Sequence, residues 1–403
     1  MTEWRDTTWG ELATLEYGKS LRDYAETGGK YRVYGTNGPI GWYDTALYEN
    51  PGVIIGRKGA YRGVHYSPHA FFVIDTAFYL KPKVEIDPRW AYYQLLTQDI
   101  NGMDSGSAIP STTRPDFYAL AVRVPPLAEQ KAIAAVLGAL DDKIELNRRM
   151  NATLEAMARA LFQSWFVDFD PVRAKLDGRQ PTGLDPATAA LLPNEFEDSQ
   201  LGPIPKGWNV MPLPEAIEVN PRRKLQPGTV APYLDMKNMP TQGHCPDQVI
   251  QREFTSGTKF QNGDTLLARI TPCLENGKTA LVDFLDDRQI GWGSTEYIVF
   301  SPKRPLPPQF GYLLARSDSL RAHAIQNMTG TSGRQRVPPE CFNTYPLIIP
   351  ASDIAERFGE LTKPLLAHVK INAIESRTLA AVRDALLPKL LSGKVKPMNY
   401  ADA

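Results

Sequence analysis

The chain has 403 residues, of which 42% are hydrophobic, and its 45 lysines and arginines are balanced by 45 aspartates and glutamates. At roughly 100–200 residues per domain, this length predicts two to four folding units. The zero net charge excludes a protein that is basic overall, as many nucleic-acid binders are. Any contact with nucleic acid must therefore come from local clusters of arginine and lysine, or from partner subunits.

The few cysteines and the lack of long apolar runs indicate in which cellular compartment the protein is expected. Three cysteines are too few and too unevenly spread for a disulfide framework, which predicts a reducing, cytoplasmic location. The opening residues MTEWRD form no apolar stretch of the signal-peptide type, and nowhere do about 18 apolar residues follow one another. We therefore expect a soluble protein with no membrane-spanning segment.

In chain order, the sequence alternates between two kinds of segment. Globular segments rich in glycine, proline and tyrosine contain short β-type runs, such as GVIIG at 52–56 and EYIVF at 296–300, which predict irregular mixed α/β domains. The other segments have helical periodicity. The predicted order is a domain at 1–126, a long helix at 127–175, a linker with one short helical turn at 176–204, a second domain at 205–350, a second long helix at 351–393 and a tail at 394–403.

Both predicted helices carry a stripe of residues in alternating steps of three and four. Such a stripe, sustained over more than four heptads, is typical of a coiled-coil seam. Each seam becomes polar in its middle, where a buried asparagine costs stability but specifies the register. We expect Pro364 to kink or delay the second helix. The seam residues are Leu140, Ile144, Asn147, Asn151 and Leu154 in the first helix, and Leu365, Val369, Asn372 and Leu379 in the second.

The two halves of the chain resemble each other. The seams match position by position, so that Asn147 corresponds to Asn372. Upstream, DTAFYLKP at 75–82 resembles TEYIVFSP at 295–302, and Trp4 and Trp208 open the two halves. Two copies of one unit usually pack about a pseudo-two-fold axis, which makes the helices antiparallel. The predicted fold is therefore α+β: two mixed α/β domains separated by two long helices that form an antiparallel coiled coil, with an internal pseudo-two-fold repeat.

Three motifs resemble the specificity subunits of type I restriction-modification systems. They are PPLAEQKAI at 125–133, ALFQSWFVDFDPV at 160–172 and LLPKLLSG at 386–393. The resemblance extends over essentially the whole chain in the order domain, helix, domain, helix. The helix motifs carry the resemblance, whereas the domain interiors vary with the DNA sequence that is read.

The resemblance implies a function. Each globular domain would be a target-recognition domain that binds one half of a split, asymmetric site in double-stranded DNA. The helices would set the gap between the half-sites and dock two methyltransferase (modification) subunits, to which restriction (motor-nuclease) subunits are added. S-adenosylmethionine, ATP and Mg²⁺ are then expected in the partner subunits, with no cofactor in this chain.

Polar loops supply the candidate DNA contacts. Base edges are read mainly by arginine, lysine, asparagine and glutamine, while hydroxyls and backbone amides contact phosphate. The alternative for each loop is a solvated turn, because the same residue types favour turns for backbone reasons. In the first domain the candidates are Tyr34, Thr36, Asn37, Arg57, Lys58, Tyr61, Arg62, Ser105, Ser107, Ser111, Thr112 and Arg114. In the second domain they are Lys237, Asn238, Arg269, Thr271, Thr329, Thr331, Ser332, Arg334, Gln335 and Arg336.

Several catalytic motifs are missing from the sequence. It has no GxxxxGK[ST] loop for ATP, and no motif with which an amino-methyltransferase holds its target base. His244 and Cys245 lack a second pair of ligands at a zinc-like spacing, so no metal site is predicted. We therefore expect a non-catalytic DNA reader. Two alternatives remain: a stand-alone nuclease, and a coiled-coil scaffold that does not bind DNA.

Overall fold

The computed structural model describes residues 4–103, 109–331 and 333–397. The chain divides into two compact units, one made of Met1–Glu145 with Ser376–Ala403 and the other of Leu146–Glu375. Both divisions fall within long helices. Each unit therefore contains one globular domain together with a part of each helix, rather than a domain alone.

The first unit is built on antiparallel and mixed sheets. Its inner strand, with the sequence GVIIG, is buried at every position because it lies between two other strands, and β-branched residues suit such a strand. The strands are β1 (Arg5–Thr8), β2 (Ala13–Tyr17), β3 (Tyr31–Gly35), β4 (Gly38–Tyr43), β5 (Gly52–Gly56), β6 (Val64–Ser67), β7 (Phe71–Val73), β8 (Ala77–Pro82) and β9 (Ala121–Val124). The helices are α1 (Trp9–Leu12), α2 (Pro88–Leu96), α3 (Arg114–Ala119) and the first part of α4 (Leu127–Phe166).

Local sequence explains where α2 begins. Proline is favoured in the first turn, where its missing N–H is not needed, and Asp87 precedes it as a cap. The Asp87 carboxylate accepts hydrogen bonds from the backbone amides of Arg89 and Trp90 at 2.9 and 2.8 Å. This helix packs on β5 and β6, and Trp90 is buried against Trp9 in the core of the first unit.

The second unit contains the remaining elements. Its strands are β10 (Phe196–Ser199), β11 (Gly202–Pro205), β12 (Asn209–Pro212), β13 (Ile217–Val219), β14 (Val230–Leu234), β15 (Ile250–Glu253), β16 (Thr258–Phe260), β17 (Thr265–Ala268), β18 (Thr279–Leu281), β19 (Gly291–Gly293), β20 (Tyr297–Pro302) and β21 (Pro346–Ile349). Its helices are α5 (Asp170–Leu176), α6 (Pro186–Leu191), α7 (Leu213–Ala216), α8 (Pro308–Arg316), α9 (Asp318–Gln326), a 3₁₀ helix (Pro339–Thr344) and most of α10 (Ser352–Leu391).

The sheets confirm the internal repeat. The four-stranded sheet has the order β2-β8-β5-β6 in the first unit and β13-β20-β17-β18 in the second. A second sheet in each unit contains one parallel pair, β3 with β7 and β14 with β19. A two-stranded ribbon, β1 with β9 and β12 with β21, precedes each long helix. The two domains therefore share one topology, and β16 is an addition in the second.

The two long helices pair in antiparallel fashion, as predicted. In the first unit Asp141 of α4 accepts a hydrogen bond from Arg383 of α10 at 2.7 Å. In the second unit the side-chain amide of Asn147 donates to the carbonyl of Asn372 at 3.4 Å, and that of Asn372 donates to Asn151 Oδ1 at 2.9 Å. As the residue numbers of the contacting residues rise along α4, those of their partners in α10 fall, which is the mark of an antiparallel pair. Asn147 and Asn372 are buried, and all the other predicted seam residues are at least half-buried.

Three details of the helices and linker differ from the prediction. The helix α4 ends at Phe166, not at 175, and Phe169 adopts a left-handed conformation with φ of 56° before the short α5. Pro364 does not interrupt α10. The carbonyl that loses its donor there belongs to the exposed residue Glu360, where water can replace the missing N–H. The segment 176–204 is packed rather than free, since Leu192 and Ile204 are buried in the core.

A buried polar network attaches α4 to the second domain. The ring of His244 is fully buried between two carboxylates, with Nδ1 at 2.9 Å from Glu155 Oε1 and Nε2 at 3.2 Å from Asp283 Oδ2. Tyr312 Oη donates to Glu155 Oε2 at 3.0 Å. Burial alone would lower the pKa of His244, but hydrogen bonds with Asp283, Cys245 and Glu155 raise it well above the ordinary value. The protonated ring thus compensates buried negative charge.

The stability of the second unit should depend on the protonation of His244. A folded-state pKa above the unfolded value means that the contribution is complete below about pH 6.5 and is lost as pH rises through the folded pKa. At pH 7, His244→Gln should lower the free energy of unfolding by roughly 3 kcal/mol, because two carboxylates lose their cation. Urea unfolding from pH 6 to 9.5 should show a smaller pH slope for this variant. The exposed His69→Gln serves as the control, and equal slopes in all three proteins would contradict the assignment.

Candidate nucleic-acid interface

In the first unit, two loops are held side by side at the end of the inner strand. The first loop, residues 57–59, directly follows β5. The backbone amide of Thr112 donates to the carbonyl of Arg57 at 2.9 Å, and that of Gly59 donates to the carbonyl of Pro110 at 3.0 Å. The segment 110–112 therefore lies against the loop. Arg57 itself is fixed from the other side, because its amide donates to the carbonyl of Thr76 at 2.9 Å.

The second unit repeats this arrangement at the end of β17. The amide of Arg269 donates to the carbonyl of Glu296 at 3.0 Å, and the carbonyl of Arg269 accepts from Val337 at 2.8 Å. The amide of Thr271 donates to the carbonyl of Gln335 at 3.0 Å. The backbone pattern thus makes Arg269 the counterpart of Arg57. Sequence reasoning selected both arginines without recognising that they are equivalent.

Exposed aromatic and basic side chains surround the loop of the first unit. Tyr17, at the end of β2, is 50% exposed, and the guanidinium carbons of Arg57 and Arg114 lie 5.0 and 4.1 Å from the centroid of its ring. These are cation–π distances. Lys58 is exposed, and Tyr61 is 79% exposed. We call the set Tyr17, Asn37, Arg57, Lys58, Tyr61, Ser111 and Arg114 the first basic surface.

Three predicted contacts in the first unit are corrected, because their side chains are buried. Tyr34 is 8% exposed and packs edge-on against Phe71, with the ring centroids 5.9 Å apart. The guanidinium of Arg62 is 2% exposed and donates to the carbonyls of Ile100, Asn101 and Met103. The hydroxyl of Thr112 donates to the carbonyl of Gly56 at 2.9 Å. Each of these side chains stabilises a loop or core instead of facing solvent.

The hydroxyl of Thr36 also has a structural partner. Its Oγ1 lies 2.8 and 2.9 Å from the carbonyl oxygens of Lys58 and Thr76, so its single O–H donates to one or the other. The half-buried Thr36 therefore fixes the loop, while its neighbour Asn37 is exposed. Ser105, Ser107 and Ser332, which were also predicted as contacts, lie outside the described residues.

A hairpin-like loop carries the corresponding surface of the second unit. Thr329 and Arg336 exchange two backbone hydrogen bonds, of 2.9 and 2.8 Å, and the amide of Arg334 donates to the carbonyl of Thr331 at 3.0 Å. Thr329, Thr331 and Arg334 are exposed, and Gln335 is half-buried. We call the set Arg269, Thr271, Thr329, Thr331, Arg334, Gln335 and Arg336 the second basic surface.

The charge of Arg336 is compensated within the chain. Its Nε donates to Glu296 Oε2 at 3.0 Å and its Nη2 donates to Glu296 Oε1 at 2.7 Å, which is a bidentate ion pair. Sequence reasoning missed Glu296. Glu296 directly precedes β20, and its backbone carbonyl accepts the hydrogen bond from Arg269. Its carboxylate therefore belongs to the same residue that supports the backbone frame. Arg336 therefore fixes the loop, whereas the charge of the exposed Arg334 is not compensated by an ion pair within the described residues.

The other predicted residues of the second unit are divided between loop support and exposure. The hydroxyl of Thr271 donates to Glu275 Oε1 at 3.1 Å. The amide N–H and side-chain amide of Asn238 both donate to Asp235 Oδ1, at 2.8 and 2.9 Å, so Asn238 closes its own turn. Lys237 beside it is exposed.

The described part of the chain contains no group of three or more histidine, cysteine, aspartate or glutamate residues arranged to hold a metal ion. Within the same ranges, no helix has the length and apolar character that a membrane crossing needs. What the loops offer is cationic and amide-bearing side chains on a rigid backbone frame, a combination suited to phosphate and base edges.

Comparisons with known proteins agree with this repeated architecture. A family model described as the type I restriction modification DNA specificity domain matches residues 1–156. The type I restriction enzyme HindI specificity subunit of Haemophilus influenzae is 24% identical over 348 residues, which cover 75% of this chain and 74% of the relative. The MjaIX specificity subunit of Methanocaldococcus jannaschii is 23% identical over 331 residues, covering 78% and 71%.

A solved structure has the same fold. The crystal structure of the type I restriction-modification S subunit from M. genitalium matches with a TM-score of 0.57 at 16% identity, and 96% of each chain is covered. The fold and the paired loops define a two-repeat protein with two separate sets of exposed basic residues. The chain is similar to type I restriction-modification specificity subunits, with the DNA specificity domain matched over residues 1–156. The predicted resemblance to specificity subunits is confirmed by these relatives.

The two arginines Arg62 and Arg57 should behave differently when replaced. Arg62→Ala should lower the free energy of unfolding of the first unit by roughly 2–4 kcal/mol, because three backbone carbonyls, two of them in buried hydrogen bonds, lose their charged donor. Arg57→Ala, at a half-buried position, should change it by less than about 1 kcal/mol. Urea unfolding of the two variants measures both effects, and a similar loss in each would contradict the division into supporting and exposed arginines.

Proposed function

We propose that this chain reads a split, asymmetric sequence in double-stranded DNA within a type I restriction-modification complex. Each domain contacts one half-site through its basic surface. The observation that carries the proposal is the repeated frame of the two loops, which presents Arg57 and Arg269 at equivalent strand ends. A frame that recurs in two diverged domains, with different exposed side chains on each copy, fits two readers of different half-sites.

The ion pairs support the choice of contacts. In residues 4–103, 109–331 and 333–397, the arginines Arg57, Arg114 and Arg334 form no ion pair with a carboxylate, whereas Arg336 is paired with Glu296. Phosphate attracts uncompensated cations most strongly, and its contribution is local. A chain of zero net charge can therefore bind DNA through these surfaces, and partner subunits add further positive charge.

We propose that the long helices serve two further purposes. As a rigid pair they set the spacing of the half-sites, and their outer faces dock two methyltransferase subunits, to which restriction subunits are added. Exposed apolar side chains on these helices, such as Leu146, Met157 and Ile371, favour a protein-covered face over a fully solvated one. The partners would supply S-adenosylmethionine, ATP and Mg²⁺, and the complex would act on cytoplasmic DNA.

The proposed function is tested by the pattern of methylation. The chain is co-expressed with its cognate modification subunits, and modified bases in host DNA are mapped by single-molecule sequencing. A split, asymmetric motif with a fixed gap is expected. A continuous motif, or no motif from a verified stable complex, would reject the reader and favour a scaffold.

Substitutions in the two basic surfaces should act on different half-sites. Arg57→Ala should relax base preference in one half of the motif, and Arg334→Ala should relax it in the other half, each by about 1–3 kcal/mol of discrimination. The measurement is the methylated fraction at sites carrying single mismatches. If either variant relaxes both halves equally, the division of labour between the domains is wrong.

The gap between half-sites should follow the length of the helices. Deleting residues 144–150 and 369–375 removes one heptad from each helix and keeps the seam in phase. The helices then shorten by about 10.5 Å, which corresponds to roughly three base pairs. The methylated motif should lose that many base pairs from its spacer. An unchanged gap in a folded complex would contradict the role of the helices.

A further inference from the structure

Tyr17 has an unusual position in the first unit. Its ring is half-exposed, and the guanidinium groups of Arg57 and Arg114 both lie within cation–π distance of it. The ring is itself fixed from below, since its centroid lies 5.0 Å from that of the buried Phe78. Tyr17 is therefore a firm support for Arg57 and Arg114 on an otherwise open surface.

The two guanidinium groups are neighbours of like charge. Arg57 Nη1 donates to the carbonyl of Asp75 at 2.8 Å, which fixes one end of that group. Neither arginine has an ion-pair partner in the described part of the chain, in contrast to Arg336 of the second basic surface. Two neighbouring cations with no compensating carboxylate in the described residues favour the binding of anionic or strongly accepting atoms of a ligand.

From this geometry we infer that Tyr17 is a positioning residue for base recognition: its ring holds Arg57 and Arg114 in place to read a G·C pair in the half-site of the first domain. The inference rests on the proposed function. Guanine presents two acceptors, O6 and N7, in the major groove, and a planar guanidinium matches them with two parallel hydrogen bonds. Restricting the guanidinium groups beforehand reduces the freedom that they lose on binding.

The second repeat lacks this support and so provides an internal control. In the sheet register Ala13 lies opposite Pro82, and Ile217 lies opposite Pro302. Tyr17 lies four residues after Ala13, but β13 ends at Val219 and Asn220 turns the chain with φ of 53°, so Pro221, four residues after Ile217, lies outside the strand and has no aromatic ring. A change at Tyr17 should therefore affect only the half-site of the first domain.

The test compares Tyr17→Leu with Tyr17→Phe in the full chain, co-expressed with the modification subunits. Tyr17→Leu removes the ring, and discrimination at a G·C pair of the first half-site should fall at least ten-fold, with the second half-site unchanged. Tyr17→Phe retains the ring and should behave as the wild type. Tyr24→Leu, at an exposed loop position, is the matched control and should leave the motif unaltered.

Two further variants separate positioning from a merely structural role. In an Arg57→Ala/Arg114→Ala background, Tyr17→Leu should cause no additional relaxation, because the ring then has nothing to position. Arg114→Lys keeps the charge but loses the planar fork, and should relax the same base pair as Tyr17→Leu. This variant also tests the inference if Tyr17→Leu fails to fold.

Several outcomes would overturn the inference. Unchanged discrimination in Tyr17→Leu would show that the ring has no role in base recognition. The proposed function would still stand in that case, provided that the wild type methylates a split motif. Relaxation in Tyr17→Phe would show that the hydroxyl, and not the ring, is required. Equal relaxation of both half-sites by Tyr17→Leu would also reject positioning in one domain. Failure of the proposed function itself would be visible earlier, as the absence of a split motif in the wild type.

Discussion

The pairing of α4 with α10 is the interaction on which the rest of the structure depends. Each helix has one apolar stripe and must cover it, and each does so inside both units. In the first unit Ile133 of α4 and Leu390 of α10 share one core. In the second, the rings of Phe166 and Phe358 lie 4.8 Å apart, and both are buried. Neither domain completes its core without a segment of the helix that belongs to the other repeat.

This interdependence gives the protein its specific architecture. The buried Asn147 and Asn372 fix the register of the pair, since a shift of the helices would leave amides without partners in the seam. The network of His244 and Glu155 attaches the second domain to α4 by charge as well as by apolar contact. The loops of each unit are thus attached to helices whose register is fixed.

The arginines of this chain of zero net charge differ in whether their own charge is compensated. The buried Arg62 donates hydrogen bonds to backbone carbonyls, and Arg336 fixes a loop through its ion pair with Glu296. Arg57 and Arg114 are instead supported by an aromatic ring, which orients a guanidinium without neutralising it. The chemical environment of each arginine, rather than the total charge, decides whether its charge remains available to a ligand.

Periodicity allowed the helices, their antiparallel seam and the repeat to be predicted, because a heptad stripe is a local pattern and its duplication fixes the partner. The breaks at Phe166 and Phe169 could not be predicted, since the helical pattern continues beyond them and tertiary packing ends the helix. The site was predicted less completely. Loop composition indicated the half-buried Arg57 and the exposed Arg334, but composition does not distinguish them from the buried Arg62.

Tyr17 was missed for a related reason. Tyr17 ends a strand in which buried and less buried residues alternate in the usual way. Nothing in the local sequence indicates that Arg57 and Arg114 contact its ring, because both are distant in the chain. Glu296 was missed because its partner Arg336 lies 40 residues later in the chain, and only the folded sheet and the loop that follows bring the two together. Long-range contacts of this kind depend on topology, and a single sequence gives no direct sign of them.

The central claim is that two equivalent domains each read one half-site. The most direct test replaces residues 208–349 with residues 4–124, so that the first domain is present twice on unaltered helices. The account predicts a methylated motif whose two halves are the same half-site. An unchanged asymmetric motif, or no methylation by a complex that assembles at the wild-type level, would contradict it.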